Sequence, residues 1–245
     1  MEYELDDGPG EGLRLGLIVL SVDTGLEWEA RQVFAGRAAH VAHTRIPARD
    51  HVTPEDLAHM APELTRSAAL LPPGLGAVGY GCTSGATVIG PGEVARRVGE
   101  AHPGTPVTNP LSAVIAALAA LGVTRVGMLT PYLPEVVAPM QAALAEAGVE
   151  AVAEESFGES DDRIVGRIPE GVVLRGMLEV GARPEVEAVF TSCTNLRSMA
   201  VIDAAEAALG KPVVTSNQAM FWHMLQRAGA GERARGWGPG RLFRL

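Results

Sequence analysis

The chain has little of what several large function classes require. Its 245 residues include two cysteines and three tryptophans, and aromatic residues make up 4% of the total. Two thiols cannot staple a chain of this length, which is long enough to bury a core without disulfides or a structural metal. They fit a reducing compartment better than a secreted one. Acidic residues outnumber basic ones 29 to 20, a formal charge of -9. That balance repels a phosphate backbone, and no basic stripe with interleaved aromatics offsets it, so nucleic acid is excluded as a partner. Purely apolar runs such as Leu17 to Leu20 fall far short of the roughly 18 residues of a membrane span. The first residues carry Glu2, Glu4, Asp6 and Asp7 where a signal peptide needs a positive segment and an apolar one. A soluble cytoplasmic protein is the reading that remains.

Short β-rich runs bounded by Gly or Pro alternate with longer stretches of helical periodicity, the pattern of parallel βαβ units. Strands are predicted near 14–20, 38–45, 75–81, 105–108, 124–130, 149–157, 186–192 and 212–215. Helices are predicted near 26–35, 54–71, 90–100, 110–121, 134–147, 170–180, 197–209 and 217–228. Arg14-Leu15-Gly16-Leu17-Ile18 is echoed by Arg125-Val126-Gly127-Met128-Leu129, and Cys82-Thr83 by Cys193-Thr194. Both echoes have the same spacing, about half the chain. The fold class expected is therefore α/β, with two pseudo-twofold-related lobes, 13–122 and 123–228. Each lobe carries a four-stranded parallel sheet flanked by helices, and the active site lies in the cleft between them. The terminal extensions, 1–12 and 229–245, read as frayed, solvated ends, with an attraction between the acidic first segment and the arginines of the last as a weaker reading. Lys211 is the only lysine. It sits in a helix-to-strand connection, whereas chemistry in parallel α/β folds gathers at the opposite strand ends, so Schiff-base catalysis is not expected.

Each cysteine follows a β-rich run and precedes small hydroxyl or amide residues and then a helix. A thiol at a helix N-terminus is stabilised as thiolate, below its usual pKa of about 8.5. A single free cysteine is most often a small buried hydrophobe. Here the only two cysteines occupy equivalent, cleft-facing positions in the two halves, which points to a reactive pair. Thr83 and Ser84 after Cys82, and Thr194 and Asn195 after Cys193, supply hydrogen-bond donors that hold a carboxylate or an enolate-like charge; ordinary N-capping uses the same residues. Zinc is not expected, because neither cysteine has CxxC or histidine spacing. The six histidines form no metal pattern, and His223 is the one that could reach the cleft.

Leu15-Gly16-Leu17-Ile18-Val19 with Asp23-Thr24, Gly81-Cys82-Thr83-Ser84-Gly85, Thr130-Pro131-Tyr132, Ser192-Cys193-Thr194-Asn195-Leu196-Arg197 and Pro212-Val213-Val214-Thr215-Ser216-Asn217-Gln218 carry a resemblance. The sequence resembles the aspartate/glutamate racemase superfamily over nearly its whole length, and within it the maleate cis-trans isomerase and arylmalonate decarboxylase branch. The resemblance implies a cofactor-free enzyme, often a dimer or tetramer, that holds a small carboxylic or amino acid between two cysteines. Carried over, Cys82 adds to a carbon-carbon double bond and Cys193 delivers and removes the proton, while Tyr132 binds a substrate carboxylate. The decarboxylases have glycine where Cys82 stands, which disfavours decarboxylation here. The isomerases have asparagines near the positions of Asp23 and Asp162, so these two acids put maleate itself in doubt. Asp23 is similar to the aspartate that assists the first cysteine of glutamate racemases, could meet a substrate ammonium group, or caps the helix after it. For Asp162, a solvated loop charge is the competing reading. The stretch around Cys82 is also similar to proteins of ectoine utilisation, which implies a diamino-acid derivative. Three functions therefore stand: a maleate isomerase-like enzyme, an amino-acid racemase or epimerase using the same thiols, and a non-catalytic small-ligand-binding protein.

Overall fold

A computed structural model describes residues 1, 3, 4 and 12–245 of the chain. Of the acids in the suggested attraction to the arginine-rich tail, Glu2, Asp6, Asp7 and Glu11 lie outside that set.

Among the described residues, eight strands form two sheets. The first orders β1 (Leu13–Leu20), β2 (Ala39–Ile46), β3 (Ala77–Gly81) and β4 (Val107–Thr108) as β2-β1-β3-β4. The second repeats it: β5 (Arg125–Thr130), β6 (Glu150–Ser156), β7 (Ala188–Thr191) and β8 (Val213–Thr215) are ordered β6-β5-β7-β8. All pairings are parallel. β3 and β7 are buried along their whole length, as expected of apolar strands covered on both faces. The helices are α1 (Leu26–Phe34), α2 (Pro54–Ala58), α3 (Leu64–Ala68), α4 (Thr83–Ile89), α5 (Pro91–Ala101), α6 (Pro110–Leu121), α7 (Pro134–Glu146), α8 (Asp162–Val165), α9 (Glu170–Gly181), α10 (Ile202–Leu209) and α11 (Ser216–Arg227).

Three local features differ from the expectation, each for a chemical reason. The helix predicted over 54–71 is interrupted at 61–63 by a 3-10 turn containing Pro62, whose ring carries no N–H for the helical ladder. The stretch before residue 90 forms a helix of its own, α4, which ends at Gly90 with φ of 90° before Pro91 starts α5. The tail after Gly229 is packed rather than frayed: Leu242 and Phe243 are buried, and the Arg241 backbone N–H donates to the Glu206 carboxylate at 3.0 Å. Apolar side chains, not the surrounding glycines, decide its fate.

The sheets divide between the two halves of the chain, but the helices cross that division. α11, from the second half, packs on β3 and α6 of the first, and α6 packs on β8. Among the described residues, no helix is long and apolar enough to cross a membrane.

Candidate active site

Both cysteines emerge at the carboxyl ends of the third strands of their sheets, at the seam between the halves. Cys82 is the N-cap of α4, and its Sγ accepts from the Gly85 backbone N–H at 3.2 Å with the Ser84 hydroxyl 3.7 Å away. A side chain at Gly85 would collide here, since a Cβ would stand 2.6 Å from the Tyr80 hydroxyl, 2.9 Å from Cys82 Sγ and 2.9 Å from the Met60 methyl. Cys193 differs from the expected helix N-terminus. It sits at φ of 108°, the one non-glycine residue with positive φ among those described, and a turn separates it from the 3-10 helix at Met199–Val201 and from α10. A β-carbon is strained in that conformation, and such strain persists only where the surroundings fix it.

What fixes it is Ser216, the first residue of α11. Its hydroxyl oxygen accepts from the Cys193 backbone N–H at 3.1 Å and from the Thr83 hydroxyl at 2.8 Å, joining the two cysteine loops. Ser216→Ala is expected to leave both donors buried without an acceptor and to lower stability by about 1–3 kcal/mol, read as the midpoint of urea unfolding; an unchanged midpoint would refute the link.

Cys82, Ser84, Tyr132, Asp162, Cys193 and Thr194 line one cavity, together with Leu20, Val22 and seven residues between Ala48 and Met60 in the segment after β2, Arg49 and His51 among them. That segment lies over the cleft as a lid. The Val52 N–H donates to the Ser160 carbonyl at 2.8 Å, the Asp162 N–H donates to the Asp50 carbonyl at 2.9 Å, and Arg163 pairs with Asp50 at 2.9 Å. The cavity beneath the lid leaves about 20 Å³ for water, about one molecule.

Three expected substrate contacts stand behind the cavity wall. Thr83 is engaged by Ser216. Asn195 uses its amide on both sides, accepting from the Thr24 and Gly25 N–H groups at 3.0 and 3.1 Å and donating to the Asp162 carbonyl and carboxylate at 2.8 and 3.1 Å. Asp23 Oδ1 accepts from the Gly25 and Leu26 N–H groups at 2.8 and 2.9 Å, capping α1, while Oδ2 is buried without a hydrogen-bond partner. These three thus act on the cleft through other groups, because the protein's own donors and acceptors occupy their side chains.

Electrostatics also departs from the expectation of a stabilised thiolate. Burial pushes the Cys82 thiol up to about 12, against the Gly85 N–H and the Ser84 hydroxyl, and the charges of Asp162 and Asp23 push the same way. Cys193 is raised well above its usual range by burial and then by Asp162, with the Tyr132 phenol opposing. Desolvation outweighs a helix terminus in so closed a space. Asp162 itself is raised to about 7, first by burial and then by the charge of Asp23. Its neighbour Asp161 takes the solvated role instead: paired with Arg163 at 2.7 Å, it is held down at about 2.

Several participants escaped the sequence reading. Tyr80 is fully buried beside Cys82, and its hydroxyl donates to Met60 Sδ at 3.5 Å. His51 and Arg49 line the cavity from the lid, whereas His223 is held at Thr108 by a 2.8 Å hydrogen bond. Lys211 donates to the carbonyls of Gly181 and Arg183 at 2.8 Å each, away from the cleft. Glu29 is buried on α1, accepting from the Ser198 and Met199 N–H groups at 2.7 and 2.9 Å and from Asn217 Nδ2 at 2.7 Å. Its signal was present, since Leu26, Glu29, Ala30, Val33 and Phe34 share the buried stripe of one helix.

A two-lobed cleft with one cysteine from each lobe invites comparison with known proteins, and a model of the arylmalonate decarboxylase family matches residues 90–243. The chain belongs to the arylmalonate decarboxylase family. The family lies in the maleate isomerase and arylmalonate decarboxylase branch of the aspartate/glutamate racemase superfamily. The arylmalonate decarboxylase of Bordetella bronchiseptica is 34% identical over 141 residues, 57% of this chain and 58% of that enzyme. The maleate isomerase of Alcaligenes faecalis is 23% identical over 236 residues, 90% of this chain and 92% of that enzyme. In structure, a Cys→Ser variant of Nocardia farcinica maleate cis-trans isomerase with a covalently bound succinylcysteine intermediate superposes with a TM-score of 0.84 at 25% identity. That superposition covers 95% of this chain and 98% of the other. The family relatives are thus enzymes of two kinds, isomerases and a decarboxylase. Among the described residues, no group of three or more His, Cys, Asp or Glu side chains could hold a metal ion.

Proposed function

We propose that this chain is a cofactor-independent isomerase acting on a small carboxylic acid, with Cys82 as nucleophile and Cys193 as acid and base. The observation that carries the reading is the shared cavity: both thiols, from equivalent positions of the two halves, open into it beside Tyr132. The Cys82 thiolate adds to one carbon of an activated double bond, forming the S–C bond and moving the π electrons toward the substrate carboxylate. Cys193 gives its proton to the neighbouring carbon. Rotation about the resulting single bond follows, Cys193 takes a proton back, and the S–C bond breaks to restore the double bond and the thiolate. The Tyr132 phenol donates to the carboxylate as its negative charge grows. Because the Asp162 charge raises both thiols, protonating Asp162 favours their ionisation, and it also admits an anionic substrate.

Two carboxylates at the cleft, Asp162 on its wall and Asp23 behind it, favour a second reading, a racemase or epimerase whose substrate carries an ammonium group. The same thiols then remove and return a proton on opposite faces of the α-carbon. Appearance of fumarate from maleate, followed by absorbance, and deuterium uptake at the α-carbon of acidic and diamino acids in heavy water separate the two. Release of carbon dioxide from an arylmalonate would overturn both in favour of the decarboxylase chemistry. A protein that binds such acids and performs none of the three reactions is a ligand-binding protein instead.

Asp162→Asn tests the role of that charge. Asp162 is charged above about 7 and neutral below it, so KM for a dicarboxylate is expected to rise in the wild type as pH increases through this point. The variant should lose that dependence and show a KM about tenfold lower at pH 8, the factor that 1.4 kcal/mol of relieved repulsion supplies. Parallel pH profiles for the two proteins would remove Asp162 from the account.

A further inference from the structure

A second cavity lies on the outer side of the lid. It holds about 190 Å³ of room for water, against about 20 Å³ in the thiol cavity. The two share Ala48, Arg49, Asp56 and Met60, and His59 and Glu63 complete the outer rim. Arg49 is the only arginine or lysine lining either cavity. It is 57% exposed and bound to Asp56 at 2.6 Å.

This ion pair is built to exchange. An exposed pair is weak, and Asp56 is held independently of Arg49: its Oδ2 accepts from the Thr53 hydroxyl at 3.0 Å, and its N–H donates to the same hydroxyl at 3.1 Å. Asp56 therefore keeps its place at the start of α2 when Arg49 departs. The guanidinium offers a fork of donors to any carboxylate that replaces Asp56. A protein of net charge -9, with Asp162 on the inner wall and Glu63 beside Asp56 on the outer rim, repels anions, and a guanidinium released from Asp56 is the one group lining the two cavities that can raise their local concentration.

We propose that the outer cavity is the access vestibule of the thiol cavity, and that Arg49 captures the substrate carboxylate there by exchanging it for Asp56. The proposal rests on the reading that the cleft handles carboxylic acids, but its test requires no turnover. The two thiols, the only ones in the chain, are alkylated with iodoacetate and, separately, with iodoacetamide. In each case the thiol proton goes to buffer, the thiolate forms an S–C bond and iodide leaves with the C–I electron pair. The same thiolate attacks both reagents, so its pKa cancels in the ratio of the two rates, and only the charge of the reagent remains.

Arg49→Gln is expected to lower the iodoacetate-to-iodoacetamide ratio about tenfold or more, the scale of electrostatic steering, with the iodoacetamide rate unchanged. Asp56→Asn, which frees Arg49, should raise the ratio, and Arg49→Lys should keep part of it. An unchanged ratio in Arg49→Gln, or a wild type whose thiols resist iodoacetate altogether, overturns the proposal. If the ratio moves as stated while maleate, amino acids and arylmalonates all remain unconverted, the vestibule stands and the assigned reaction falls; turnover with an unmoved ratio gives the converse.

Discussion

Cys82→Ser and Cys193→Ser, made separately, are each expected to reduce turnover by at least about 10³-fold while shifting the melting temperature by only a few degrees. Serine is close to isosteric with cysteine, and although both residues are buried, each side chain also lines the cavity, so the exchange leaves no large void in the core. The two losses should differ in kind. With Cys82 replaced, no covalent adduct can form. With Cys193 replaced, Cys82 can still add, the neighbouring carbon takes its proton slowly from water, and the removal of that proton fails, so an adduct of substrate mass should accumulate on Cys82 and be visible by mass spectrometry. Retained activity together with a large loss of stability in either variant would reduce that cysteine to a buried hydrophobe.

Glu29→Ala should cause the largest loss of stability, about 3–5 kcal/mol, because it leaves the Ser198 and Met199 N–H groups and one donor of Asn217 buried without an acceptor. The loss also reaches the active site, since Asn217 Nδ2 donates to the Thr194 carbonyl at 2.7 Å beside Cys193. Glu29→Gln keeps an acceptor for the two backbone groups and should lose less. The same carboxyl gives a pH signature. Burial raises it from 4.5 in the unfolded chain to about 7, so between these values the folded state holds a proton that the unfolded state has lost. Its contribution to stability is therefore full below about 4.5 and declines as pH rises toward 7, with a slope of up to about 1.4 kcal/mol per unit. Unfolding midpoints at several pH values should show this slope in the wild type and a shallower one in Glu29→Gln. Equal slopes would mean that Glu29 does not titrate in this window.

Both expectations turn on how much a sequence discloses. All eight strands were legible to within about two residues at either end, because runs such as Val186 to Thr191 are bounded by turn residues and buried on both faces. The internal echo disclosed two lobes of four parallel strands each and put the cysteines at equivalent strand ends, but not the order of the strands within each sheet. The remainder depends on contacts between residues far apart in the chain. Asp161 and Asp162 are adjacent acids with opposite fates, settled by Arg163 for one and by burial and the charge of Asp23 for the other. The strained turn at Cys193 is held by Ser216, and no local pattern announces that partner. The lid, with Arg49 and His51, read only as the approach to a helix. Tyr80 read only as a strand residue, since nothing local reveals that Met60 folds back over it.

The exchange of helices has a consequence for how such a molecule can change. Each sheet depends for part of its cover on a helix encoded in the other half, so neither half is an autonomous module that could be lost, transplanted or shuffled with a different partner. Inheritance and folding alike must treat the doubled chain as one piece. Substitutions at the start of α11 then act on both cysteine loops at once, through the single hydroxyl of Ser216.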